Sequence, residues 1–182
     1  MSIARRRVGL LFDYDFDAAE HARIGAGRFE FDRAGFDLFS FPSNAGLVGF
    51  DLNRFARKQA QRARTRGWAA VVAHQEQFGA LAAALVAEAA GLRGTSPLAV
   101  LACQHKLHAR RVLDGVAPEA NLRYEALDCE YGQDIPEGLA YPAFAKPVKA
   151  AFSVLARPVA SREQLRAHTR FGWRDLWVIR RL

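Results

Sequence analysis

Cysteine is scarce in this chain of 182 residues, with Cys103 and Cys129 the whole complement. Two thiols without paired spacing provide neither a disulfide framework nor a four-cysteine zinc site, and they fit a reducing compartment, so the cytoplasm is the expected location. Long apolar runs are missing too. No stretch reaches the roughly 20 residues of a membrane-spanning helix. The run Val8 to Phe12 behind Arg5-Arg6-Arg7 is too short for a signal peptide and meets Asp13 and Asp15 at once. No membrane partner is expected. Glycine-rich nucleotide loops are absent in their usual forms. Gly25-Ala26-Gly27 has Glu30 where a dinucleotide fingerprint needs its third glycine, there is no Walker sequence, and no Ser, His and Asp fall in a recognisable nucleophile pattern.

What is present is ample core-forming material and an excess of positive charge. Hydrophobic residues make up 51% of the chain, enough for one domain or two small ones with a buried core. The formal net charge of +7 points to an anionic companion, which is a nucleotide, a nucleic acid or an acidic surface. Much of that charge sits in one segment. Asp51 caps a helix running to about Arg66, in which Arg54, Arg57, Lys58, Arg62, Arg64 and Arg66 surround a thin stripe of Phe55, Ala56, Ala60 and Ala63. Such a helix suits a phosphate backbone, but it has no interleaved aromatics for base stacking. The cations therefore read as a solvated outer face, with nucleic acid the lesser alternative.

Val8 to Phe12 is patterned as a strand buried on both faces of a parallel sheet. Asp13, Asp15 and Asp17 stand just past its end, where open α/β sheets bind ligands. They either touch a substrate amine or a metal, or form a solvated turn in which Asp17 caps the helix Ala18 to Ile24. A second strand is expected at Phe36 to Phe41 and a third at Trp68 to Ala73. His74-Gln75-Glu76-Gln77 then leads into a helix from Phe78 to Ala90. His74 alone decides nothing, and Glu76 reads equally as a first-turn acid favourable to the helix dipole. Strand and helix alternate three times, which argues an α/β domain of three layers around a parallel sheet, closing near Gly91 to Thr95.

Ser96 caps and Pro97 starts a further helix with the stripe Leu98, Leu101, Ala102, His105, Ala109, Val112 and Leu113. Within it His105 reads as a core histidine, and Lys106 stands at the flank, where a lysine is either solvated or reaches a nearby anion. Cys103, His105 and His108 point different ways on a helix, which argues against a metal site. Leu122 to Leu127 is expected as a strand and Cys129 to Gly138 as a polar loop. Tyr141 to Val159 then reads as two strands. Alternation places Lys146 between Phe144 and Val148 on one face, and Pro147 ends the ladder. Lys149-Ala150-Ala151 makes the turn, and Phe152 to Ala156 returns with Ser153 close to it. No acidic residue lies between Tyr141 and Arg162, so a partly buried Lys146 ammonium asks for an external anion such as polyphosphate. Ser161 opens a last helix, and the apolar Leu176 to Ile179 follows.

These last stretches resemble the ATP-grasp family. Its nucleotide lobe carries a strand ending in a Lys-Pro pair, a flexible loop and a returning strand, as Phe144 to Ala156 is expected to do. Upstream it has a helix bearing a first nucleotide-binding lysine, which Gly94-Thr95-Ser96-Pro97-Leu98-Ala99-Val100 with Gln104-His105-Lys106 and Ala109-Arg110 is similar to. His105 replaces an aspartate that often precedes that lysine, and Lys149-Ala150-Ala151 replaces glycines of the loop. The resemblance covers the chain to about residue 165. It implies a pre-ATP-grasp α/β domain over 1–95 and the first part of an incomplete α+β ATP-grasp lobe over 96–182. ATP is the implied cofactor, held by Lys106 and Lys146 with Ser153 from the loop, and His74 and Glu76 fall on the substrate side. The implied reaction phosphorylates a small carboxylate with ATP and lets an amine or thiol attack the acyl phosphate.

In the family the Mg2+ ligands are acids and an asparagine from the second half of the fold. Beyond Lys146 this chain has only Glu163 and Asp175 as carboxylates and no asparagine, so Mg2+ is expected only with such a second half and no metal ligand is named here. Without an ordered metal, phosphoryl transfer loses most of its electrostatic support. The expectation is a front half that does not catalyse alone, with Leu176 to Ile179 covered by a partner chain or a second copy. Two other classes compete with the ligase: a nucleotide-binding or association protein without catalysis, and a basic nucleic-acid binder using Arg54 to Arg66.

Overall fold

The computed structural model describes residues 5–37, 39–40, 42–76, 78–128, 134–149, 155–170 and 172–173. The chain divides into two compact units, Met1–Gln104 and His105–Leu182. Among the described residues the first unit holds β1 (Arg6–Leu11), α1 (Ala18–Gly25), β2 (Phe29–Ala34), α2 (Leu52–Arg66), β3 (Ala70–Ala73), α3 (Phe78–Ala90) and α4 (Pro97–Gln104). The second holds α5 (Lys106–Val116), β4 (Ala143–Ala145), β5 (Arg157–Val159) and α6 (Arg162–Thr169).

The apolar run behind the arginines makes β1 the central strand of a parallel sheet in the order β2-β1-β3. Burial on both sides is what its near-continuous hydrophobicity predicts. Neighbouring residues of β2 identify the two covering layers. The Phe31 ring lies 5.7 Å from that of His21 on α1, whereas Asp32 on the opposite face meets Arg62 and Arg66 of α2. Helices therefore cover both faces, and the expected three-layer α/β arrangement is present. Between the sheet, α2 and α3 lies a core of Leu11, Phe12, Ala56, Ala60, Ala63, Trp68, Ala82 and Val86. Trp68 packs so tightly over β1 that a Cβ added to Gly9 would stand 2.1 Å from its ring.

Both long helices of this unit follow their sequence signals. Asp51 accepts the amide of Arg54 at 2.9 Å and caps α2, and Gly67 ends it in the left-handed conformation with φ of 64°. The second strand is displaced from expectation: β2 occupies Phe29–Ala34, and Phe36 to Phe41 contains no described strand. Gly35 turns the chain out of the sheet with φ of 99°. Asp37 then accepts the amides of Asp15 at 2.9 Å and Phe39 at 2.7 Å, which fixes a loop. The basic face of α2 also differs from a simple solvated one. Arg62 and Arg66 hold the buried Asp32, and Arg64 Nη1 donates to the Ala89 carbonyl at 2.7 Å.

The single helix expected from Pro97 to Leu113 is two helices broken at His105, whose Nδ1 accepts the amide of His108 at 3.1 Å and caps α5. His105 is thus a cap and not a core residue. Leu122 to Leu127 forms no strand, because its anchors are side-chain bonds. Asn121 accepts from Arg110 Nη1 at 2.9 Å and donates to Asp114 Oδ1 at 2.7 Å, and Tyr124 donates to Asp114 Oδ2. The hairpin is antiparallel as expected, with β4 paired to Arg157–Val159, and residues 152–154 of the expected return strand Phe152 to Ala156 lie outside the described residues. Ile135, Val159 and Leu165 form the core of this second unit, and Ser161 caps α6 through the amide of Gln164. Leu176 to Ile179 lie outside the described residues.

Candidate functional site

Phe12 ends β1 with φ of 52°, a left-handed conformation that bulky side chains rarely adopt. Packing holds it there. Its ring is fully buried, with the rings of Phe55 and Phe78 each 4.9 Å away and those of Phe36 and Phe50 at 5.4 and 5.6 Å. Asp13 follows this turn. Its carboxylate is 8% exposed, with Oδ1 2.9 Å from His21 Nδ1 and Oδ2 3.2 Å from Arg33 Nε. These are charge contacts and not aligned hydrogen bonds, so both oxygens of the buried Asp13 keep unfilled acceptor capacity among the described residues.

The chain of polar groups continues across the sheet edge. His21 Nε2 and His74 Nε2 are 2.9 Å apart, and His74 Nδ1 lies 3.6 Å from Asp17 Oδ2. Asp13, His21, His74 and Asp17 thus form one row at the carboxyl ends of β1 and β3, where ligands of open α/β sheets bind. Its two histidines are not equivalent, since the His21 side chain is 7% exposed and that of His74 is 42% exposed. Asp17 makes no side-chain cap to α1, which sets aside the reading of it as a simple helix cap.

Tyr14 joins the same edge. Its ring stacks at 5.1 Å on the exposed Phe16 and lies 5.1 Å from the exposed Phe39. Burial raises the Tyr14 phenol above its ordinary pKa, and the charges of Glu76, Asp37 and Asp17 push it further the same way. Glu76 is exposed and stands two residues before α3, outside its first turn. Its carbonyl accepts from the Gln104 amide at 3.2 Å. The first unit therefore brings His74 and Asp17 together, with the charge of Glu76 acting on the Tyr14 phenol of the same edge, and it adds His21, which the sequence reading missed. The signal available was weak: a histidine in a short amphipathic helix, 53 positions from its partner.

The two lysines belong to the second unit. Lys106 is the first residue of α5, and its backbone N–H donates to the carbonyl of Val148 at 3.1 Å. The helix start is thus tied to the segment that carries Lys146. Lys146 lies just past the end of β4, with Nζ 5.2 Å from the Phe144 ring centroid. The face it shares with Phe144 and Val148 is open, with those two residues 58% and 44% exposed. Lys146 is itself exposed, which corrects the expectation of a partly buried ammonium. Ser153 lies outside the described residues. No group of three His, Cys, Asp or Glu converges to hold a metal ion among the described residues.

Of known structures, the L-amino acid ligase from Bacillus licheniformis matches this chain with a TM-score of 0.61 over 92% of its length, at 18% identity. The fold is ATP-grasp-like. This chain spans 42% of the ligase chain. No protein-family model and no curated protein matches it. An identity of 18% carries the fold and not the chemistry. No helix among the described residues is long and apolar enough to cross a membrane.

Proposed function

We propose that this chain supplies the nucleotide-holding part of an ATP-grasp ligase, with Lys106 and Lys146 as the cations that take the phosphates of ATP. The observation that carries the reading is the bond from the Lys106 amide to Val148, which fastens the first lysine to the strand end bearing the second. Charge-assisted contacts from two ammonium groups suit a polyphosphate, and the open Phe144 and Val148 face beside Lys146 suits a flat apolar ring. Ser153 is proposed as a further contact from the loop. No three metal-ligating side chains converge among the described residues, and no step is assigned to a metal held by them.

The matched ligase is named for L-amino acids, which makes amino acids the first carboxylate and amine substrates to test. His74 and Glu76 are proposed for the substrate side, because His74 stands beside Asp17 at the sheet edge and the charge of Glu76 reaches Tyr14 there, and carboxylates suit an amine. Titration of ATP into the protein, followed by competition with tripolyphosphate and with AMP, tests the nucleotide reading. ATP binding that tripolyphosphate displaces more strongly than AMP supports it, and no ATP binding contradicts it. ADP release on adding amino acids and magnesium then separates a ligase from a nucleotide binder without catalysis. The engagement of Arg62, Arg64 and Arg66 within the first unit weighs against the nucleic-acid reading.

A further inference from the structure

Three aromatic rings meet just past the carboxyl end of β1, and one of them is held in place while staying open to solvent. Phe16 is 71% exposed, yet its ring lies nearly parallel to that of Tyr14, with 5.1 Å between centroids and 18° between planes. Tyr14 is 9% exposed and also meets the Phe39 ring at 5.1 Å. The buried Asp37 fastens the two segments that carry these rings, because its carboxylate accepts the Asp15 amide at 2.9 Å, the Phe39 amide at 2.7 Å and the Ser40 hydroxyl at 3.0 Å. Single exposed apolar residues are ordinary. A fixed aromatic surface at the ligand-binding edge of an α/β sheet marks a binding site.

The polar groups around the rings give the occupant its charge. The Tyr14 hydroxyl has no hydrogen-bond partner among the described residues, and it is not one of the polar atoms sealed from solvent. Besides burial, the charges of Glu76, Asp37 and Asp17 act on this phenol, so those carboxylates stand near it. Asp37 is engaged by the amides above. The exposed Glu76 carboxylate makes no ion pair among the described residues, and that of Asp17 has one charge contact, to His74 at 3.6 Å. An ammonium carries three donors and no acceptor, and Glu76, Asp17 and the Tyr14 oxygen offer it three acceptors. The same acids repel a phosphate. We propose that this edge binds an amine that carries a flat aromatic group, with its ring laid on the open face of Phe16 and its ammonium taken by Glu76 and Asp17. The inference rests on the substrate-side reading of His74 and Glu76 and narrows it to aromatic amines, aromatic amino acids among them.

Titration of phenethylamine into the intact protein, followed by amide NMR, reads this site without ATP. The amides of Asp15–Asp17 and of His74 to Glu76 should shift together along one binding curve. Phe16→Ala, which removes an exposed ring, should weaken binding about two- to tenfold, as the loss of one stacking contact predicts. Glu76→Gln and Asp17→Asn should each weaken it about tenfold. Propylamine, which lacks the ring, and 3-phenylpropionate, which lacks the ammonium, should both bind more weakly than phenethylamine. Propylamine binding as tightly as phenethylamine, and weakened by Glu76→Gln, overturns the aromatic class and leaves the amine reading standing. No binding of either amine overturns both, whatever ATP does. Phenethylamine binding unchanged in Phe16→Ala, or matched by 3-phenylpropionate, also overturns the proposal.

Discussion

The indole N–H of Trp68 donates to Asp32 Oδ2 at 2.9 Å. That bond sits beneath the basic helix α2, whose Arg62 and Arg66 reach the same carboxylate. What looks in sequence like a row of free cations is in part the counter-charge of one buried acid. Burial by itself raises the pKa of Asp32, but the Trp68 bond, the Arg66 bond and the charges of Arg62 and Arg66 outweigh it and hold the group below its ordinary value. Asp37 is lowered too, foremost by the Asp15 amide and against the effect of its burial. A depressed carboxylate stabilises the fold above its unfolded pKa, and the contribution is lost as pH falls through the folded value.

Stability should therefore be flat with respect to these acids near neutrality and fall below about pH 4. Urea midpoints measured across that range check it. Asp32→Asn should lower stability by roughly 1 to 3 kcal/mol at neutral pH and flatten the acid limb. An unchanged acid limb in the variant would remove Asp32 from the account.

Gly9→Ala should destabilise the first unit by about 1 to 3 kcal/mol or more, because the added Cβ meets the Trp68 ring and not the end of a flexible side chain. Gly27→Ala adds strain from its φ of 76° but meets no neighbour, so the two losses have different origins. Trp68→Leu should rescue Gly9→Ala in part and do nothing for Gly27→Ala. A thermal unfolding series over the single and double variants measures the difference.

The cations of α2 should divide into two classes. Replacing the exposed Arg57 and Lys58 with Ser should leave stability within about 0.5 kcal/mol of wild type, whereas Arg62→Ser removes one of the two guanidinium partners of the buried Asp32 and should cost more. Filter-binding of single- and double-stranded nucleic acid at moderate salt serves as the companion measurement. Binding that disappears with Arg57 and Lys58 would restore the nucleic-acid reading.

Much of the first unit was legible because its signals are local. Asp51 and Gly67 bracket α2, and the apolar run of β1 announces a central strand. β2 was missed because Arg33 cuts short the alternation of Phe29 and Phe31 and the opposite face carries Asp32, an acid that makes sense only beside Arg62, Arg66 and Trp68, which are distant in sequence. The helix break at His105 was missed because a histidine cap interrupts no hydrophobic period. The lysine strand was placed, but its exposure was not, since alternation tells which residues share a face and not whether anything covers it. His21 and His74 escaped notice as a pair because parallel-sheet crossovers bring together segments that share no local pattern.

The account depends most on Lys146 and Lys106 acting together on the phosphates of one nucleotide. Calorimetric titration of ATP into wild type, Lys146→Met and Lys106→Met tests that claim most directly. Each variant should bind about ten- to a hundredfold more weakly than wild type, as the loss of one charge-assisted contact predicts. Circular dichroism should be unchanged, because both side chains are exposed. Equal affinities in all three proteins, or no ATP binding by the wild type, would contradict the account.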